Sequence, residues 1–310
     1  MTSVAQGDNA SVRAILADRA RLFVECAEQA RSTPHKRGAV KRLRTSARRL
    51  ESAYKAVRPA LRGGRAKRLV STVSGLRRTA GDVRDADVIA KRLGRGLPGL
   101  QHPAKAAAVG YLLARLGARR EESSEKLAGL LERSAERVGS LVEDLVACEK
   151  QGGAGFATVV SDGLRGAALR FASASERDLT DIELLHELRK DGKRLRYCVE
   201  VFEPFMPYVL SREVLARLSD FQQRLGTIND LHVELLVVRG AMERRDSDPV
   251  REGLAMIGEG LARALEREHA SFVRWWWDVG AAQQLLGCAH ELTVVRTDGT
   301  AGGAGGAAVA

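Results

Sequence analysis

Two segments of this 310-residue chain place basic side chains at helical spacing, and such groups bind phosphate or other anions. Positions three, four and seven residues apart lie on one face of a helix, so each segment carries a cationic stripe. Like charges stacked in this way repel one another, which indicates that both stripes serve a ligand that neutralises them. The stripes comprise Lys41, Arg44 and Arg48 in the first segment, and His186, Arg189, Lys193 and Arg196 in the second.

Four further arginines extend the predicted binding surface. Arg49 and Arg194 point further round the two helices, where they could serve a wider groove or only contact water. Arg77 and Arg78 form a third basic segment just before Gly81. We include all four in the predicted polyanion site.

The charge distribution supports a polyanionic ligand. The net charge is +11 at pH 7, and the segment from Arg31 to Gly81 holds 16 Lys or Arg residues against one acid, Glu51. Single-sign blocks raise the local potential and attract polyanions or anionic surfaces. The alternative is a solvated, arginine-rich helix surface, although solvated surfaces usually mix the two signs.

The elements that position these stripes are predicted to be helices. Apolar residues make up 45% of the chain and aromatic residues only 5%, a composition that favours helices over a β-sandwich or barrel. The stretch 103–149 could be one helix or two joined near Gly117, and Trp275–Trp277 is predicted to anchor the packing of the last helix. Apolar periodicity and Gly or Pro breaks predict helices over 10–32, 38–57, 63–79, 83–95, 103–149, 157–176, 181–202, 210–226, 229–243 and 248–279.

An internal repeat underlies this pattern. When the chain is shifted against itself by 145 residues, Val40–Arg44 lies on Leu185–Arg189. With no gap, Gly81–Val88 then lies on Gly226–Val233. A constant offset of this kind indicates two related halves. The predicted units are one domain over 8–290, with halves 8–150 and 156–290, and a flexible Gly/Ala-rich tail over 291–310.

One repeat position holds an aspartate in both halves. Asp85 and Asp230 each follow a glycine, Gly81 and Gly226, at which a turn between two helices is predicted. A carboxylate at that place would cap a helix or orient neighbouring arginines, and we expect one of these roles in preference to direct function.

The histidines leave a catalytic role open. His186 is matched by Lys41 across the repeat, and His232 by Asp87. A charged lysine is a poor metal ligand and a poor base near neutral pH, yet it binds phosphate as a protonated histidine would. The interchange favours a cationic contact for His186, with a metal or acid/base role for His186 and His232 as the alternative.

Most signals for catalysis, metal binding and membrane insertion are absent from the sequence. It contains no HExxH, GxSxG, P-loop or dinucleotide-binding motif, and its four cysteines form no CxxC. No apolar run approaches the ~18–20 residues that span a bilayer, and the N-terminus does not read as a signal peptide. We therefore predict a cytoplasmic protein with no catalytic residues, metal or cofactor, and no membrane partner.

The predicted polyanion lacks bases. Single-stranded nucleic-acid binders pair basic grooves with aromatic platforms, whereas the basic block contains one aromatic residue, Tyr54, on the apolar seam. No helix-turn-helix, RRM or zinc-finger pattern is evident. A chain of inorganic phosphates fits these features. The alternatives are a general nucleic-acid or nucleoid binder, and a phosphate-chain hydrolase or its accessory subunit.

Taken together, these motifs resemble the CHAD domain family (conserved histidine α-helical domain). The second half fits the family motif nearly completely, and the first half departs from it at Lys41, where the family has a histidine, and at Glu51, where a basic residue is common. The matching segments are Val40–Arg44, Arg48–Leu50, Gly81–Val88, Leu185–Arg189, Lys193–Tyr197 and Gly226–His232.

The resemblance implies an architecture and a ligand. It implies two antiparallel four-helix bundles related by a pseudo-two-fold axis, with a basic groove or pore between them. It also implies binding of inorganic polyphosphate and, in some members, association with polyphosphate granules and their proteins. The E-x-E-x-K signature of triphosphate tunnel enzymes, which often accompany the family, is not found here, so the chain resembles the stand-alone binding form.

Overall fold

The computed structural model describes residues 3–61, 64–96, 101–147, 156–243 and 248–294. Every regular element in these ranges is helical, so the predicted all-α fold is confirmed. Short 3-10 turns follow the second and sixth helices. The α-helices are α1 Ser3–Ser32, α2 Arg37–Val57, α3 Arg65–Gly96, α4 Pro103–Ala147, α5 Phe156–Ser175, α6 Ile182–Phe202, α7 Tyr208–Met242, α8 Pro249–Trp277 and α9 Ala281–Thr293.

Local sequence explains several helix boundaries. The Asp181 carboxylate accepts a hydrogen bond from the backbone N–H of Glu183 at 2.8 Å, which caps the start of α6. In the same way, Asp248 accepts from the backbone N–H of Arg251 at 2.8 Å. Pro249 then occupies the first position of α8, where its missing N–H costs nothing.

The repeat seen in the sequence is also present in the helix boundaries. A shift of 145 residues carries α2 onto α6 residue for residue, and carries the 3-10 turn Arg58–Ala60 onto Glu203–Phe205. The 45-residue α4 corresponds to α8 and α9 together. The second copy is interrupted at Gly280, whose φ of 78° lies in the left-handed region that favours glycine. Ala135, at the equivalent position of α4, is helical.

One hydrophobic core spans both halves. Leu43 and Leu50 of α2 and their counterparts Leu188 and Leu195 of α6 are all fully buried in the same cluster. Trp276 lies in this core among Phe171, Phe221 and Phe272, so the predicted packing role of the tryptophans holds for it. A second apolar cluster joins α3 and α4 to α7 and α8. The two halves therefore pack against each other through α2 with α6 and α4 with α8.

The predicted turns at Gly81 and Gly226 are wrong, because α3 and α7 each continue through the glycine. A glycine inside a helix costs only about 1 kcal/mol relative to alanine. Burial of neighbouring residues such as Ala80 and Val83 in the core outweighs that cost. As a result Asp85 and Asp230 lie within helices and cap neither of them.

Other boundaries differ more modestly. The stretch from 103 is one continuous helix, with no break at Gly117. Helix α9 was not predicted, and it carries the chain through Thr293 with Leu292 fully buried, so the predicted tail begins inside it. Residues 295–310 and the predicted break at 151–153 lie outside the described residues.

Candidate functional site

A groove of about 630 Å³ lies where α2 and α6 meet, with α3 and α7 as its two walls. Its lining is dominated by cations from both halves of the chain. Acidic groups are fewer and come from α2, α3 and α7. The basic residues that line it are Arg44, Arg48, Arg77, Arg92, His186, Arg189, Lys190, Lys193 and Arg194, and the acidic residues are Glu51, Asp85 and Asp230.

Several of these cations already have a counter-ion. The Arg44 guanidinium donates to Asp85 at 3.1 Å, so this aspartate orients an arginine, as one of its two predicted roles required. Arg77 donates to Glu51 at 2.9 Å. These two ion pairs join α2 to α3 and fix one wall of the groove.

One further ion pair crosses the groove. Arg92 of α3 donates to Glu234 of α7 at 2.8 Å and lies 3.9 Å from Asp230. Glu234 is a mostly buried carboxylate, and burial raises its pKa while Arg92 lowers it. The pair holds α3 and α7 together at one end of the groove.

Three groove cations make no direct ion pair in the described structure, although the nearby Asp230 carboxylate partly offsets the lowering of the pKa of Arg189 and of Lys193. Among the described residues, the side chains of Arg48, Arg189 and Lys193 make no hydrogen bond or ion pair, although all three are partly buried. The Nε atoms of Arg44 and Arg189 are buried without a hydrogen-bond partner. Buried donors without partners are costly, so the groove contains donor capacity that an anion would satisfy.

The pKa values of several cations in the groove are lowered. Burial, followed by the charges of Arg189, Arg48 and Arg44, lowers the pKa of Lys193 from 10.5 to about 7. Burial is also the main cause that lowers the pKa of Arg189 and of Arg44. Each cation disfavours the charged form of its neighbours, so the cations repel one another. A bound anion would reduce this repulsion.

His186 lies at the edge of the groove. Partial burial, and then the charges of Lys190 and Arg189, lower its pKa below the usual 6.5. The free imidazole is therefore mostly neutral at pH 7, and the predicted cationic contact would require proton uptake on binding. His232 lies across a smaller pocket from His186. No cluster of three metal-ligating residues occurs within the described ranges.

Four predicted site residues lie outside the groove lining. Lys41 and Arg78 are exposed on α2 and α3. Arg49 of α2 and Arg196 of α6 both approach Glu200 of α6, at 3.6 Å and 2.9 Å, so the Arg49 pair joins α2 to α6 and the Arg196 pair lies within α6. The remaining seven line it together: Arg44, Arg48, Arg77, His186, Arg189, Lys193 and Arg194.

Sequence reasoning missed Arg92, and the reason is the predicted turn at Gly81. On a continuous helix Arg77, Gly81, Asp85, Val88 and Arg92 follow one another at steps of three and four, which places them on one face. The structure shows this continuous face lining the groove. The helical spacing that links Arg92 to Arg77 is present in the sequence, but the predicted break at Gly81 placed the two residues on different helices.

No described helix has the length and hydropathy needed to cross a membrane. Cys26, Cys198 and Cys288 are buried and free, and Cys148 lies outside the described residues.

The architecture is similar to that of known protein structures. The chain is similar to PptA from Streptomyces chartreusis, at 16% identity and a TM-score of 0.72 over 87% of this chain and 99% of that one. It is also similar to the CHAD domain from the plant Ricinus communis, at 21% identity and a TM-score of 0.59 over 94% and 93%. At these identities the likeness shows the fold.

No curated protein matches the chain. The model of the CHAD domain matches residues 14–239, which include both basic stripes and both aspartates at the shared repeat position. The predicted extension of the domain to residue 290 lies beyond this match and stays a prediction. The matched segment covers well over half of the sequence, and the chain therefore belongs to the CHAD domain family.

Proposed function

We propose that this protein binds inorganic polyphosphate, without catalysis, in the groove between α2, α3, α6 and α7. The observation that carries the proposal is the set of partly buried cations that make no direct ion pair in the described part of the chain, Arg48, Arg189 and Lys193. A chain of phosphates supplies closely spaced negative charges and acceptor oxygens for donors such as the Nε atoms of Arg44 and Arg189.

The lining of the groove favours an anion without bases. Tyr197 is the one aromatic side chain on its surface in the described part of the chain. Proteins that bind single-stranded nucleic acid stack successive bases on several aromatic side chains. Membership in the CHAD family supports the same ligand, because polyphosphate binding is what the sequence resemblance implies.

The proposed role is that of a binding module. A groove dominated by cations can hold a phosphate chain through charge and hydrogen bonds alone, without a group that activates water. Targeting of the protein to cytoplasmic polyphosphate granules, in contact with granule proteins, is the cellular role consistent with such a module.

Competition binding at fixed salt tests the ligand. Labelled long-chain polyphosphate would be displaced by unlabelled polyphosphate, heparin, single-stranded DNA and duplex DNA in separate titrations. We expect polyphosphate to compete at the lowest concentration of phosphate or sulfate groups. Equal or tighter binding of either DNA would instead identify a nucleic-acid binder.

A release assay tests the absence of catalysis. Purified protein is incubated with polyphosphate and Mg²⁺, Mn²⁺ or Zn²⁺, and free phosphate is measured over time. We expect no release above the protein-free control. Release that His186→Ala abolishes would overturn the non-catalytic role and support the acid/base or metal alternative.

A further inference from the structure

A separate apolar pocket of about 230 Å³ lies between α6 and α7, beside the groove. Leu185, Leu225 and Ile228 form its floor and are each no more than 2% exposed. Leu236 at its rim is 52% exposed, so the pocket is open to solvent. Pockets for drug-sized ligands measure about 300–1,000 Å³, so this volume suits a single ring system.

The pocket is continuous with the cationic groove. His186, Arg189, Asn229 and Val233 line both cavities. A phosphate held by Arg189 would therefore sit at the entrance to the apolar pocket. One ligand could then place an anionic chain in the groove and an apolar group in the pocket.

Polar groups around the pocket identify the apolar group more closely. Asn229, His186 and His232 surround it, and none of their side chains has a hydrogen-bond partner in the described structure. Asparagine offers a donor and an acceptor side by side, which matches the edge of adenine. An acyl chain would leave these groups unused, whereas a nucleobase has both an apolar face and polar edges.

Several of the corresponding positions of the first half carry charged side chains. Arg37 and Asp87 take the places of Ile182 and His232, and they form an ion pair at 2.9 Å. The apolar lining of the pocket therefore does not follow from the repeated scaffold.

We propose that the groove and the pocket together bind a nucleoside polyphosphate, with the base in the α6/α7 pocket and the phosphates in the groove. The phosphate part of this inference rests on the proposed function. The base part rests on the pocket, its polar rim and its continuity with the groove.

The test compares ATP with ribose 5′-triphosphate, which has the same phosphates and sugar but no base. We expect ATP to bind the full-length protein about ten-fold more tightly, which corresponds to about 1.4 kcal/mol from burial of the base in the apolar pocket. Leu236→Trp should fill the open pocket and reduce this preference to less than about two-fold. Ribose 5′-triphosphate and long-chain polyphosphate should bind this variant as they bind the wild type, which also reports its folding.

A second variant protects the test from local misfolding. Ile182→Phe blocks the pocket from α6, at a position that does not line the groove, and should reduce the ATP preference in the same way. Equal affinities for the two ligands in the wild type, or an ATP preference that survives both variants, would overturn the proposal. Polyphosphate binding without an ATP preference would refute this inference alone. An ATP preference without polyphosphate binding would refute the proposed function and leave the pocket assignment standing.

Discussion

The two halves of the molecule share a helical scaffold but carry different side chains at one equivalent position between their helices. In the first half, Asp87 is fully buried and accepts from Arg37 at 2.9 Å and from Arg120 at 2.8 Å. Arg120 also donates to the backbone carbonyl of His35 at 2.7 Å. In the second half the equivalents of Arg37, Asp87 and Arg120 are Ile182, His232 and Leu265.

The groove shows the same asymmetry in its charges. Arg44 and Arg77 of the first half are neutralised by acids of that half. In the second half the equivalents of Arg44 and Asp85 are Arg189 and Asp230, and these two form no direct ion pair in the described structure. Asp230 lies instead 3.9 Å from Arg92 of the first half. The two copies therefore differ at one pair of positions: Arg44 is paired within its own half, whereas Arg189 keeps an unpartnered Nε for a ligand. Arg48 and its counterpart Lys193 do not differ, because neither makes an ion pair with a described residue.

The largest predicted effect concerns the buried acid of the first half. Asp87→Ala leaves Arg120 without its partner, and we expect the free energy of unfolding to fall by about 2–3 kcal/mol. This is less than the ~3–5 kcal/mol of a fully buried pair because the Arg37 side chain is 59% exposed. Urea denaturation followed by circular dichroism measures the change.

The equivalent variant in the second half is the matched control. His232→Ala should cost less than about 1 kcal/mol, because no ion pair is broken. The triple variant Arg37→Ile, Asp87→His and Arg120→Leu, which copies the second half, should recover most of the stability lost in Asp87→Ala. Similar losses for Asp87→Ala and His232→Ala would contradict the assigned asymmetry.

A smaller effect is expected where α4 crosses α8. A Cβ atom on Gly253 would lie 1.9 Å from the backbone oxygen of Ala104, so the two helices would have to separate. We expect Gly253→Ala to lower the free energy of unfolding by about 1–2 kcal/mol, although alanine favours the helix. Gly260→Ala on the same helix meets nothing within 4 Å and should stabilise by about 0.5–1 kcal/mol. Two stabilising substitutions in thermal denaturation would show that the helices cross less closely.

The repeat also predicts a pH dependence, because Lys193 takes the place that Arg48 holds in the first half. Its pKa of about 7 means that the amine is charged in the free protein at lower pH and mostly neutral above it. Bound phosphates favour the charged form and raise this pKa, so binding above pH 7 requires proton uptake. Polyphosphate affinity should then fall roughly ten-fold from pH 6.5 to 8.5.

Lys193→Arg gives both halves the same permanently charged residue and should abolish most of this decline. Isothermal titration calorimetry in buffers of different ionisation enthalpy would report the proton uptake directly. A profile in Lys193→Arg as steep as that of the wild type would assign the pH dependence to another group.

The sequence alone predicted the all-α architecture and most of the basic residues that line the groove. The 145-residue offset brought Arg44, Arg48, Arg189 and Lys193 to one surface, since equivalent helices of a repeat present equivalent faces. Arg92 was not predicted, because a glycine can either end a helix or lie within one, and only tertiary packing decides which.

Other features depend on contacts between distant segments. The exclusion of Arg196 from the groove lining follows from its ion pair with Glu200 and its bond to Gln222, 26 residues away. The apolar pocket is lined by Ile182 and His232, where the first half has the Arg37–Asp87 ion pair. Neither property has a periodicity that can be read along one helix.

The most direct test of a defined groove is the salt dependence of polyphosphate binding at pH 6.5 in two double variants. Arg189→Gln with Lys193→Gln removes two charges inside the groove, and Lys41→Gln with Arg78→Gln removes two exposed charges outside it. Each phosphate contact contributes about 0.7 to the slope of log affinity against log salt for a single-stranded polyanion, so the first pair should flatten it by about 1.4. The second pair should leave the slope close to that of the wild type. Equal flattening by the two pairs would show that polyphosphate responds to net charge alone, and would contradict binding in the groove.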